Sequence, residues 1–98
     1  MGTIENDIET YLSKLVKNAN GIYLKIPALY MSGIPDRLVL LPEGNMAFVE
    51  LNRPIGGRRA ELQKYWQKKL SERGYLSVFV QTKEEADSLI EMLLTRKR

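Results

Sequence analysis

The sequence contains neither cysteine nor histidine. Without cysteine there are no disulfides and no thiolate metal sites, and a reducing compartment is the simpler setting. Without histidine there is no imidazole base, so Ser-His-Asp and Cys-His catalysis are excluded along with histidine zinc sites. Any chemistry has to run on carboxylates, lysines or a hard cation held by oxygen ligands. No run approaches the roughly 18 apolar residues that span a bilayer, and the N-terminal stretch lacks the basic-then-apolar layout of a signal peptide. The expectation is a cytoplasmic protein with no membrane partner. Excess charge is also scarce: 15 Lys+Arg against 12 Asp+Glu give +3, which permits a polyanionic partner without requiring one.

What remains is ordinary globular material. The 98 residues, 44% apolar, make a single domain (1–98) with one modest core. Ile4, Ile8, Tyr11, Leu12, Leu15 and Val16 recur at helical spacing and predict a helix over about 3–18, stopped by Asn20-Gly21. Residues 22–26 read as a strand ended by Pro27. Two β-rich runs, 36–41 and 46–51, flank Pro42-Glu43-Gly44-Asn45, a hairpin signal. A second helix is expected over about 59–73, with Leu62, Tyr65, Trp66 and Leu70 inward and Gly74 closing it. A strand follows over 76–80. Thr82-Lys83-Glu84-Glu85 then reads as a capping box opening a last helix, with Ala86, Leu89, Ile90, Leu93 and Leu94 on its core side. The order is α-β-β-β-α-β-α. The third and fourth strands, joined through a helix, should run parallel in a mixed sheet flanked by helices.

The hairpin carries the chemistry. Its turn folds Asp36 back against roughly residues 50–53, and strand alternation puts Glu50 and residue 52 on one side with Leu51 on the other. Two carboxylates then converge at one end of a ribbon, which is unfavourable unless a cation or a proton sits between them. Magnesium or manganese is the natural occupant. Taken alone, the pair also fits a turn aspartate and a solvated strand end. On the first helix, Glu5 falls inside the apolar arc, whereas Glu9 falls just past its edge. Glu5 is either a buried acid in need of a partner or a residue favoured by the helix dipole at its N-terminus. Arg58, Arg59, Lys64, Lys68 and Lys69 read first as a solvated helix face and only second as a nucleic-acid contact.

Ser32-Gly33-Ile34-Pro35-Asp36, then Phe48-Val49-Glu50-Leu51, then Gly56-Gly57-Arg58 and Leu62-Gln63, occur in an order that resembles the VRR-NUC nucleases, the virus-type replication-repair branch of the PD-(D/E)XK superfamily. The likeness runs over nearly the whole chain. It implies a restriction-endonuclease-like α/β core with a mixed sheet of about four strands. It also implies metal-binding carboxylates at Asp36 and Glu50, a further ligand in the Leu51 carbonyl, and a helix-borne acid at Glu5 completing the site. Gln63 matches a glutamine that orders the site. Asn52 departs from the pattern, standing where the family has the lysine of Glu-x-Lys. A neutral amide still donates hydrogen bonds, but losing a positioned cation at a developing anion typically costs about 10²–10³-fold in rate. The implied function is hydrolysis of DNA phosphodiesters with Mg2+ or Mn2+, on branched substrates such as the four-way junction, by a C2 homodimer whose symmetry matches the junction's. Arg37, Arg53, Arg58, Arg59, Lys64 and Lys68, with Lys25 and the Arg96-Lys97-Arg98 tail, are the candidates for phosphate contact. Against this stand a DNA-binding module that has lost catalysis through Asn52, a flap- or nick-directed nuclease, and a plain structural domain.

Overall fold

The computed structural model describes residues 4–27, 31–51 and 56–96, with backbone alone at 4–6. The first helix, α1, spans Ile4–Asn18. Ile8, Leu12 and Val16, four residues apart, are each 6% exposed or less and form its buried stripe. Asn20 takes up the left-handed conformation (φ 61°), and the Gly21 N–H donates to the Val16 carbonyl at 2.8 Å, which ends the helix where Asn-Gly predicts.

Three strands follow as an antiparallel meander: β1 (Ile22–Lys25), β2 (Arg37–Leu40) and β3 (Met46–Glu50). A 3-10 turn at Pro42–Gly44 joins β2 to β3, closed by the Leu41 N–H donating to the Asn45 carbonyl at 2.7 Å. The second helix, α2 (Gly57–Glu72), then crosses over to β4 (Leu76–Phe79), which pairs parallel to β3 with Ala47 beside Leu76. The sheet order is β1-β2-β3-β4. The last helix, α3 (Lys83–Thr95), opens on the expected capping box: the Glu85 N–H donates to Thr82 Oγ1 at 3.0 Å, and the Thr82 N–H donates to Glu85 Oε1 at 3.2 Å.

Alternation along the strands divides the molecule into two unlike layers. Val39, Leu41, Ala47, Val49 and Leu51 point to one face. There they meet α1, which itself packs on α3 through Ala86, Leu89, Ile90 and Leu93, and this layer is the core. The other face is covered by α2 alone, whose contacts run to β4 and include Gln67 Nε2 donating to the Ser77 carbonyl at 3.0 Å. Two side chains expected inside lie outside: Tyr65 is 52% and Leu94 57% exposed. Each sits on the rim of its helix's apolar stripe, Tyr65 beside half-buried Leu62 and Leu94 beside buried Ile90.

Candidate active site

The approach to β2 is set by Gly33. Its φ is +87°, and a Cβ added there would lie 2.5 Å from the Leu62 Cβ and 2.8 Å from the Leu62 carbonyl carbon. Only glycine lets the backbone of residues 31–35 rest on α2 in this way. Buried Pro35 follows, and Asp36 enters the sheet, its carbonyl accepting from the Ile26 N–H at 2.9 Å.

Register then does what the hairpin predicts. Arg37 pairs with Val49, and one further step along the same ladder sets Asp36 against Glu50. Side chains at facing positions have Cβ atoms about 4.5–5.5 Å apart. The Leu51 N–H donates to Asp36 Oδ1 at 3.4 Å, and the Glu50 carbonyl accepts from the Val80 N–H at 3.0 Å, so the end of β3 is tied on both sides. Glu50 is buried at 7% exposure, whereas the Asp36 side chain is 24% exposed. Leu51 sends its side chain into the core, as alternation requires.

Both acids open on a cleft of about 220 Å³ lined by Met31, Ser32, Gly33, Ile34, Asp36, Glu50, Arg59 and Gln63. Gln63, 8% exposed, comes from the inward side of α2, and Arg59 from one turn earlier on the same helix. Among the described residues no group of three acidic side chains gathers at one place. A site made of Asp36 and Glu50 suits Mg2+ or Mn2+ nonetheless, because such ions commonly take one or two carboxylates and keep several waters. The Glu5 side chain lies outside the described residues, as do Asn52 and Arg53.

Of the helix-borne acids, Glu9 is seen to reach the sheet. Arg37 donates to its Oε2 from Nε at 2.7 Å, with Nη2 at 2.6 Å, and Lys25 Nζ stands 3.5 Å away. The same guanidinium contacts Asp36 Oδ2 at 3.3 Å and donates to the Asp36 carbonyl at 3.0 Å. Burial pulls the Arg37 pKa down, but the charge of Asp36 and the hydrogen bond to Glu9 more than offset it, leaving the group above its ordinary value. Arg37 thus braces Asp36 against α1, with its side chain 12% exposed. Tyr23 lies beside this bridge, and burial pushes its phenol up to about 12 despite the opposing charge of Arg37.

The remaining phosphate-contact candidates on α2, Arg58, Lys64 and Lys68, are exposed. Arg59 is exposed as they are, and it also lines the cleft. The i, i+4 spacing to Gln63 is the signal that could have separated it.

No protein-family profile matches the chain. A solved structure, a VRR_NUC domain, superposes with a TM-score of 0.78 at 28% identity, covering 92% of this chain and 97% of that one. "Putative nuclease p44" of Acyrthosiphon pisum secondary endosymbiont phage 1 is 42% identical over 50 residues. The match takes in 51% of this chain and 54% of the phage protein, so it spans about half the length of each.

Proposed function

We propose that this chain, whose fold matches that of a VRR_NUC domain, is a divalent-metal-dependent endodeoxyribonuclease acting on branched DNA. The observation that carries this reading is that Asp36, one residue before the Arg37–Val49 register pair, and Glu50, one residue after it, line the same polar cleft. Asp36 and Glu50, with the Leu51 carbonyl and Glu5, are the residues that would hold Mg2+ or Mn2+. When bound, the ion polarises the phosphate and makes water more acidic. Arg37 fixes the orientation of Asp36 through its contacts at 3.3 and 3.0 Å. Gln63 places an amide, donor and acceptor both, beside the acids. Exposed Arg58, Lys64 and Lys68 suit the phosphate backbone.

Junction specificity and a homodimer belong to the same reading. Two symmetric nicks call for two active sites, and a two-fold dimer supplies them. On the sheet face away from the core, Ile22 (57% exposed) and Leu24 (43%) stand opposite Leu40 and Leu38, an apolar patch on edge strand β1 suited to a second copy. Among the described residues no helix is long and apolar enough to cross a membrane. A cytoplasmic site of action accords with the phage origin of the p44 relative.

Asn52 favours a second reading, a DNA-binding module with little catalysis, because the position lacks the lysine of Glu-x-Lys. One assay separates the two. With Mg2+ or Mn2+, the chain and its Asn52→Lys variant are compared on junction, flap, single-stranded and duplex DNA. Branch-selective nicking that disappears in Asp36→Asn is the expected result. Binding without cleavage by either form establishes the module instead.

A further inference from the structure

Helix α2 brings a cation into the cleft. Arg59, Gln63, Trp66 and Leu70 recur at i, i+4, i+7 and i+11, one stripe of a helix, and this stripe faces the sheet: Gln63 is buried, and Trp66 and Leu70 are half-buried. Arg59, at the head of that stripe, is exposed, as are Lys64 and Lys68, which lie farther round the helix. Strands β3 and β4 end together at Glu50 and Phe79, a register pair, and the first turn of α2 lines the cleft beside Glu50. Arg59 sits on that first turn. Among the described residues it is the one cation lining the cleft, and it forms no ion pair with any of them. Arg37, the other nearby guanidinium, is committed to Glu9 and Asp36.

We propose that Arg59 supplies, from α2, the positive charge at the scissile phosphate that the Glu-x-Lys pattern supplies from position 52. The inference rests on the nuclease reading. In the hydrolysis, the oxygen of water bonds to phosphorus, one ester P–O bond breaks, and the proton released by that water ends on the departing oxygen. Negative charge gathers on the non-bridging oxygens as the new bond forms. A guanidinium stays charged at any pH the protein survives, and its fork of donors matches two phosphate oxygens at once. A cation carried into the cleft from the first turn of the helix lowers the barrier to the extent that it meets the charge developing in the transition state more closely than the bound ground state. Asn52 then remains free to donate a hydrogen bond without carrying the charge.

The test is a double-mutant cycle on a junction substrate, read as the single-turnover rate at saturating enzyme, with DNA affinity measured separately in Ca2+. Arg59→Ala is expected to lower the rate by roughly 10²–10³-fold, with affinity little changed. Arg59→Lys recovers part of the loss, and in the Asn52→Lys background the loss from Arg59→Ala shrinks to about tenfold or less. Arg59→Met keeps the aliphatic stem, and its melting temperature separates loss of charge from loss of packing. An affinity loss with an unchanged saturated rate overturns the proposal and makes Arg59 an ordinary phosphate grip. An equal rate loss in both backgrounds overturns it too, since Arg59 then replaces nothing. If only the Asn52→Lys form cleaves, the nuclease reading stands and the inference falls. If neither form cleaves any DNA, the nuclease reading itself has failed.

Discussion

The two faces of the sheet are made by alternate residues of the same strands and could hardly be less alike. Val39, Leu41, Ala47, Val49 and Leu51 face two helices and are almost wholly buried. Between them stand Asp36, Leu38, Leu40, Met46, Phe48 and Glu50; among the described residues α2 covers this face at β4, and Ile22 and Leu24 stand exposed on β1. Helix α1 meets the sheet with Ile8, Leu12 and Val16, whereas α2 brings Gln63 as its one fully buried residue, together with Gln67 and Arg59. One face therefore holds most of the energy that folds the chain, and the other can hold charges that a core would not tolerate. The strand period of two keeps these roles apart: a slip of one residue would put Glu50 in the core and Leu51 in the cleft. Arg37 is the exception that links the faces. It lies on the core side, where Glu9 neutralises it, and reaches back to Asp36.

The sharpest way to break the comparison is to damage the core face and ask whether the cleft notices. Leu12, at 0% exposure in the middle of α1, should cost about 2–5 kcal/mol on truncation in Leu12→Ala. Urea unfolding measures that loss. The rise in melting temperature on adding Mn2+ should survive it, because no part of α1 near Leu12 touches the cleft. Loss of the metal response in protein still folded would show that the faces are coupled.

A smaller effect is expected where the cleft face depends on close approach rather than burial. In Gly33→Ala the new methyl meets Leu62 at 2.5 Å, with the backbone held at φ +87°. The left-handed conformation alone costs an L-residue roughly 1–2 kcal/mol. Relief requires residues 31–35 to lift from α2, which moves Asp36 away from Glu50. Cleavage should therefore fall by far more than stability, the reverse of the Leu12→Ala outcome. Equal losses of the two would mean that Gly33 serves the fold alone.

The same contrast decides how much was legible beforehand. Apolar spacing gave α1 and most of the inward side of α3, because hydrophobic period fixes the phase of a helix that packs on a core. The Pro42-Glu43-Gly44-Asn45 turn and strand alternation together brought Asp36 to Glu50, and Asn20-Gly21 and the capping box marked two helix ends. Helix α2 was legible only in part. Trp66 and Leu70 lie on its sheet-facing side as apolar period requires, but that side also carries Gln63 and Gln67, which apolar period passes over, and Tyr65 lies outside. The bridge from Glu9 to Arg37 was hidden for a related reason. It depends on where α1 lies against β2, a tertiary fact with no local signature.

The smallest expected change lies farthest from the cleft, at the start of α3. Thr82 Oγ1 accepts the Glu85 N–H at 3.0 Å, while Glu85 Oε1 takes the N–H groups of Thr82 (3.2 Å) and Gln81 (2.8 Å). Thr82→Ala removes one side of that box and should cost about 1 kcal/mol. Helix α3 supplies Ala86, Leu89, Ile90 and Leu93 to the core face and no residue to the cleft lining. The loss should therefore appear as a lower denaturant midpoint, with the m-value, metal response and cleavage of the folded protein unchanged. An altered cleavage rate would mean that strain at the far helix crosses the sheet, and the division of labour between its faces would have to be abandoned.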